Sequence, residues 1–331
     1  MVRAWLPRSA TRLFPARSTP WSPRRSRSLN RMSTAVLGRP LKVPGSHERA
    51  GDRFFRLTIA GFAGVILLAA LALAWQLTRE SAATWRTFGL SFLWTSDWDP
   101  VNEVFGALPF LYGTAVSSFL ALLIAVPLGV GAAVFLTELA SSRFATILIF
   151  AIELLAAVPS VILGLMGVFI LVPAMRAAGA PYGVGMLTAG LILAFMILPY
   201  ITTITREVLL TVPRPLKEAM YALGATRWEV VRGVSLPFAR SGIIGAVFLS
   251  FGRALGETMA VTMVIGNTPQ IKASLLAPGY SMAAVIANEL AEAASDAHLS
   301  ALVAIGLTLM AVTVLVNGVA RLMLYRLGSR K

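Results

Sequence analysis

Apolar residues along this chain come in long blocks separated by short polar stretches. Six blocks, near 55–77, 112–137, 145–172, 183–204, 241–266 and 301–320, are long enough for a helix to cross a bilayer. About 20 residues suffice, because a rise of about 1.5 Å per residue covers a hydrocarbon core of about 30 Å. The third and fifth blocks exceed that length, which predicts tilting or bending, and Pro159 offers a kink site in the third. The pattern predicts an all-α integral membrane protein with about six transmembrane helices.

Composition agrees. Of 331 residues, 57% are hydrophobic and 13% charged, against about 25% charged in a soluble domain. A water-soluble core cannot absorb that apolar excess; a bilayer can.

Charge sets the orientation. Arg79 and Arg86 stand against Glu80, Asp97, Asp99 and Glu103 between the first two blocks, a net −2. Lys272 against Glu289, Glu292 and Asp296 gives −2 between the last two. The link between blocks four and five carries Arg206, Arg214, Lys217, Arg227, Arg232 and Arg240 against Glu207, Glu218 and Glu229, a net +3. Arg321, Arg326, Arg330 and Lys331 close the chain. Positive-inside bias then places both termini and the 205–240 link in the cytoplasm, which requires an even number of spans. The net charge of +14 is concentrated in residues 1–56, where thirteen Lys or Arg face Glu48 and Asp52 and supply +11. That is a basic flank to the first span rather than a nucleic-acid surface.

Residues 1–50 are rich in Pro, Ser and Arg, and composition predicts disorder there; residues 51–331 form the polytopic domain. The acid-free stretch from Arg3 to Arg31 superficially fits a transit peptide, while a start at Met32 is the simpler expectation. There is no cysteine, and His47 and His298 are isolated from any metal-ligand spacing. Neither a catalytic nor a metal site is expected.

Residues 211–240 carry the most specific pattern. Pro213 and Pro215 end one helix and admit another. A short helix from Leu216 to Leu223 then meets Gly224, suited to a left-handed cap. Thr226 and Glu229 form a capping box that opens a second helix, with Pro237 expected to stop it. No lysine lies in a phosphate-binding loop, so any ATP hydrolysis must come from a separate chain.

In the fifth block, Arg253 and Glu257 stand four residues apart, the spacing of one helical face, and Gly252 and Gly256 leave room for a neighbour. A central arginine costs roughly 2.5–3.5 kcal/mol on insertion scales, so it needs a partner, a wet path or a ligand. An anionic cargo would suit a guanidinium, with Glu257 holding or tuning it. The alternative is an inter-helical ion pair that only fixes packing, with Glu153 of the third block. Glu138, at the end of the second block, reads as interfacial. Trp85, Phe92, Trp94 and Trp98 lie among acids, the mix expected at a headgroup layer.

Glu218-Ala219-Met220, Gly224 and Val234-x-Leu236-Pro237 reproduce the spacing of the loop shared by permeases of ATP-binding-cassette importers. The stretches 92–100, 105–114, 152–160 and 252–261 further resemble PstC-type permeases of bacterial phosphate importers, over about residues 50–326. The resemblance implies a type I importer permease of the bacterial inner membrane, without enzymatic activity of its own. It implies a heterodimer with a sister permease, two ATPase subunits that hold ATP-Mg, and an external phosphate-binding protein. Glu218, Ala219 and Gly224, with Leu236 and Pro237, would form the ATPase-coupling loop, and Arg253 and Glu257 would line the substrate path. The link at 173–182 is short for the family, so contacts made by a longer loop have no support here. Import of sulfate or molybdate, or a self-sufficient ion-coupled transporter, remain the other readings. Peptide mapping of the purified chain is expected to find Met32 at its start; recovery of residues 2–31 would overturn that.

Overall fold

The computed structural model describes residues 46–328, with side chains from 51 to 326. Residues 1–45, including the start expected at Met32, and the end of the basic tail lie outside the described residues. Contacts divide the chain into units 1–68 and 69–331. The first contributes the leading part of α1 (Ser46–Glu80), an apolar helix.

In the second unit, α2 (Ala82–Phe88), a short 3-10 turn (Gly89–Leu93) and a two-stranded antiparallel hairpin, β1 (Trp98–Asp99) and β2 (Val104–Phe105), precede α3 (Leu108–Val134). A wide π-turn, Phe135–Leu139, prolongs α3. Next come α4 (Ser142–Ala156), α5 (Ser160–Met166), α6 (Val172–Ala177) and α7 (Met186–Leu210). The loop helices α8 (Arg214–Ala222) and α9 (Arg227–Val230) lead into α10 (Leu236–Leu255). After α11 (Met259–Val264) and α12 (Met282–Glu289), α13 (Asp296–Gly328) closes the described chain.

Six helices among the described residues are long and apolar enough to cross a membrane: Gly51–Glu80, Leu108–Leu139, Ser160–Ala177, Met186–Leu210, Arg227–Leu255 and Asp296–Arg326. The count of six holds, but two spans differ from expectation. The third does not run from 145 to 172. Pro159 has no N–H and disfavours helical geometry at the residue before it, so α4 ends at Ala156 and helix resumes at Ser160. The fifth does not run to 266. It ends at Leu255, and Gly256, Glu257 and Thr258 separate it from α11.

Pro237 does not stop the loop's second helix. Helix continues through a π-turn, Val231–Ser235, straight into α10, with Pro237 in its first turn. A proline inside a helix leaves a carbonyl one turn back without its donor, and a wide turn absorbs that mismatch. The same pairing recurs where the π-turn Gly167–Leu171 precedes Pro173.

Three apolar clusters follow the helix axes. The central one joins Ala121, Ala125, Leu193, Ile197 and Val261. At the loop end, Ala133, Val134, Leu209, Val212, Val231 and Ala239 meet. At the hairpin end, Phe92, Phe105 and Phe110 pack with Leu302 and Ile305. The aromatics of 78–111 are thus mostly core rather than a headgroup belt. Trp98 stands edge-on to Phe105 and Phe110 at 5.0 and 4.8 Å, and Trp85 edge-on to Phe92 at 5.6 Å. Trp94 alone of the four is well exposed. His298 is buried, stacked on Phe105, with Nε2 3.1 Å from Glu289 Oε2. Ser300 pins α2 to α13 by accepting from Thr84 Oγ1 at 2.9 Å and donating to the Glu80 carbonyl at 2.9 Å.

The segment leading into α12 crosses α3 where Gly113 has no side chain: a Cβ there would collide with the Tyr280 carbonyl. Beside it, the Met282 N–H donates to Thr114 Oγ1 at 2.9 Å. Gly113→Val is expected to destabilise the detergent-solubilised protein by about 1–3 kcal/mol, read as a lowered thermal midpoint. An unchanged midpoint would mean that this crossing is not tight.

Candidate functional site

The loop built from residues 211–240 folds from its own local signals. Pro213 is extended and precedes α8, whose helical turn closes through Leu223 onto Gly224 at φ +86°. The Gly224 N–H donates to the Tyr221 carbonyl at 3.0 Å, and the Ala225 N–H to the Met220 carbonyl at 3.1 Å, the bonding of a left-handed helix cap. Thr226 then opens α9 with both arms of a capping box. Glu229 Oε2 accepts from the Thr226 N–H at 2.7 Å and from its hydroxyl at 2.8 Å.

Glu218, Ala219 and Gly224 are exposed, as a docking surface requires. So are Leu216, Tyr221, Trp228 and above all Leu223, at 85%. Large apolar side chains on a polar, protruding element point to a covering partner. Sequence reasoning missed Leu223 and Trp228, although both sit inside the motif. Pro237 is exposed and borders a cleft with Leu216 and Met220 of α8, whereas Leu236 is half-buried. They lie at the root of α10, where Leu236 packs against the loop-end cluster.

Arg253 lies in the last turn of α10, not midway along a span, and it is exposed. The helix ends before Glu257, so Arg253 and Glu257 do not share a helical face, and the two form no ion pair among the described residues. Glu257 instead turns toward the start of α11, where its Oε1 accepts from the Ala260 N–H at 3.4 Å. Arg253 lies over the ring of Tyr200, its guanidinium carbon 4.3 Å from the centroid. That contact supplies part of what a cation needs away from water, worth about 0.5–2 kcal/mol. No described group accepts a hydrogen bond from the guanidinium. Tyr200 follows Pro199 within α7, and nothing in its local sequence links it to Arg253.

Glu153 does not pair with Arg253. It sits on α4, outside the six spans, exposed and without an ion pair among the described residues. Gly252 and Gly256 make no tight helix crossing: Gly252 faces Asn317 at ordinary contact distance, and beside Gly256 there is open space apart from its own helix end. Glu138 is no free interfacial acid, because it is paired with Lys217.

Residues 125–328 match the family model for the inner membrane component of binding-protein-dependent transport systems. A "Phosphate transport system permease protein PstC" of Mesorhizobium japonicum is 46% identical, the match covering 84% of this chain and 91% of that relative. Another, of Xylella fastidiosa strain Temecula1, is 42% identical, covering 91% of this chain and 99% of the relative. Among solved structures, a bacterial alginate ABC transporter in complex with an alginate pentasaccharide-bound periplasmic protein superposes with a TM-score of 0.60. It is 13% identical and covers 84% of this chain and 96% of its own. An inward-facing MetNI methionine ABC transporter gives 0.51 at 20% identity, over 67% of this chain and 94% of its own. At those identities the likeness is one of fold.

Removing the cap with Thr226→Ala is expected to cost about 1 kcal/mol locally. Hydrogen exchange at the Glu229 and Val230 amides should then run about fivefold faster. Unchanged exchange would show that α9 is held by the partner helix alone.

Proposed function

The chain belongs to the family of inner membrane components of binding-protein-dependent transport systems, and from that premise we propose that it is the permease subunit of an ATP-driven importer of inorganic phosphate. With six apolar helices it is a multi-pass inner membrane protein. Its relatives are named as phosphate permeases, and membership of this family leaves no support for a self-sufficient ion-coupled transporter.

The observation that carries the mechanism is Arg253. A guanidinium at a helix end within the membrane domain, steadied on one face by Tyr200 and with its donors unfilled, is prepared for an oxyanion. Phosphate presents several such oxygens. The missing pair with Glu257 matters here, since a carboxylate on the guanidinium would compete with cargo. Glu257, half-buried at the break after α10, instead borders the path and disfavours tight retention of an anion.

Force reaches this region from the 211–240 loop. The exposed apolar face of α8 and α9, with Glu218, Ala219 and Gly224, seats in an ATPase subunit, which binds ATP-Mg and carries out the hydrolysis. Closure of that ATPase displaces the loop and re-aims the spans around Arg253, exposing the site alternately to the two sides. Positive-inside bias supports placing the loop and both termini in the cytoplasm, and the hairpin end outside, where an external phosphate-binding protein delivers cargo. A sister permease and two ATPase subunits complete the assembly.

Arg253→Gln is expected to lower uptake of labelled phosphate by roughly tenfold or more, the loss of a charge-assisted hydrogen bond, in a complex that still assembles. Excess sulfate should leave wild-type uptake unchanged. Full uptake by an assembled Arg253→Gln complex would remove the arginine from the path, and strong competition by sulfate would change the cargo assignment.

A further inference from the structure

Glu138 stands in the wide turn that ends the second span, and its side chain is 9% exposed. One of its oxygens, Oε1, holds two partners: Lys217 Nζ at 2.6 Å and Ser235 Oγ at 2.9 Å. Lys217 belongs to α8, the protruding helix. Ser235 is fully buried and ends the wide turn from which α10 grows. A single carboxylate therefore ties together the end of span two, the loop helix and the root of span five. Directly beneath lies the loop-end cluster, where Ala133 and Val134 of span two meet Val231 and Ala239.

An ion pair this deeply enclosed is favourable only while its geometry is kept, because separating it strands a charge away from water. The second partner on the same oxygen sharpens that requirement. Both the carboxylate and the hydroxyl sit in π-turns, places where a helix has already given up one regular register and can exchange it for another. α8 has no buried residue of its own, and among the described residues this is the one ion pair it makes.

We propose that Glu138 is a positioning residue that clasps α8 to spans two and five, so that displacement of the loop moves both spans together. The inference rests on the reading of 211–240 as the element that receives force from an ATPase. Without the clasp, α8 would yield on its own and ATP hydrolysis would proceed with less cargo moved.

The test is the ratio of phosphate imported to ATP hydrolysed, measured on the whole complex in proteoliposomes. Glu138→Gln keeps the size and the acceptor for Ser235 but removes the charge, and Lys217→Met removes the other partner. Each is expected to lower the ratio about fivefold or more while hydrolysis stays within about twofold of wild type. Lys217→Arg, which preserves the pair, should keep the wild-type ratio. A purely structural role would lower transport and hydrolysis in parallel and leave the ratio unmoved, and that result overturns the proposal. Should Glu138→Gln fail to assemble, Lys217→Met on the protruding helix carries the same test alone. If the wild-type complex shows no ATP-driven uptake, the importer reading fails. The clasp is then judged by hydrogen exchange across 214–222, where Lys217→Met must speed exchange for it to stand.

Discussion

Backbone amides and carbonyls inside a bilayer have only one another to bond, and an unpaired group in hydrocarbon costs several kcal/mol. Two kinds of departure from regular helix among the described residues fit that constraint. The backbone turns beside the third and fifth spans, at 157–159 and 256–258, are short, and the chain re-enters helix at once. Prolines at 173 and 237 are each accommodated by a π-turn in the residues just before them, which keeps the helix continuous where a proline would otherwise interrupt it. The same economy governs small polar side chains: Thr114, Ser117, Thr202 and Thr308 return their hydroxyls to carbonyls one turn earlier.

The break after Leu255 links this constraint to function. A charged residue at the centre of an unbroken lipid-exposed helix would have no outlet for its donors. At a helix end, Arg253 has room around it, and the neighbouring segment supplies short turns rather than another apolar wall. The aromatic ring of Tyr200 takes one face of the guanidinium and leaves its edge open. Structural rigidity and an available cation thus arise from one arrangement.

Much of this was legible in the sequence, because length, apolarity and capping are local properties. The second, fourth and sixth spans fall within a few residues of expectation, and Gly224, Thr226 and Glu229 behave as their residue types dictate. The third and fifth spans differ from the hydropathy pattern for a definite reason. Hydropathy registers how apolar a stretch is but not whether its backbone is continuous, and Met259–Val264 is as apolar as the span it was fused to. Contacts between distant residues were out of reach. Nothing near Tyr200 announces Arg253, and nothing near Glu138 announces Lys217 or Ser235. The aromatics of 85–98 resemble a surface belt in sequence because their acidic neighbours are adjacent, whereas Phe110, Leu302 and Ile305, which pack with them, come later.

The uninterrupted run from Arg227 to Leu255 has a geometrical consequence. A stiff rod pivoting near its base magnifies motion with distance from the pivot. From Leu236 to Arg253 the helix advances roughly 25 Å at its ordinary rise, so a tilt of about 10° carries the far end about 4 Å. That is comparable to the width of a small hydrated ion's inner shell, so a modest swing at the water-facing base is enough to make or withdraw a set of hydrogen bonds at the tip.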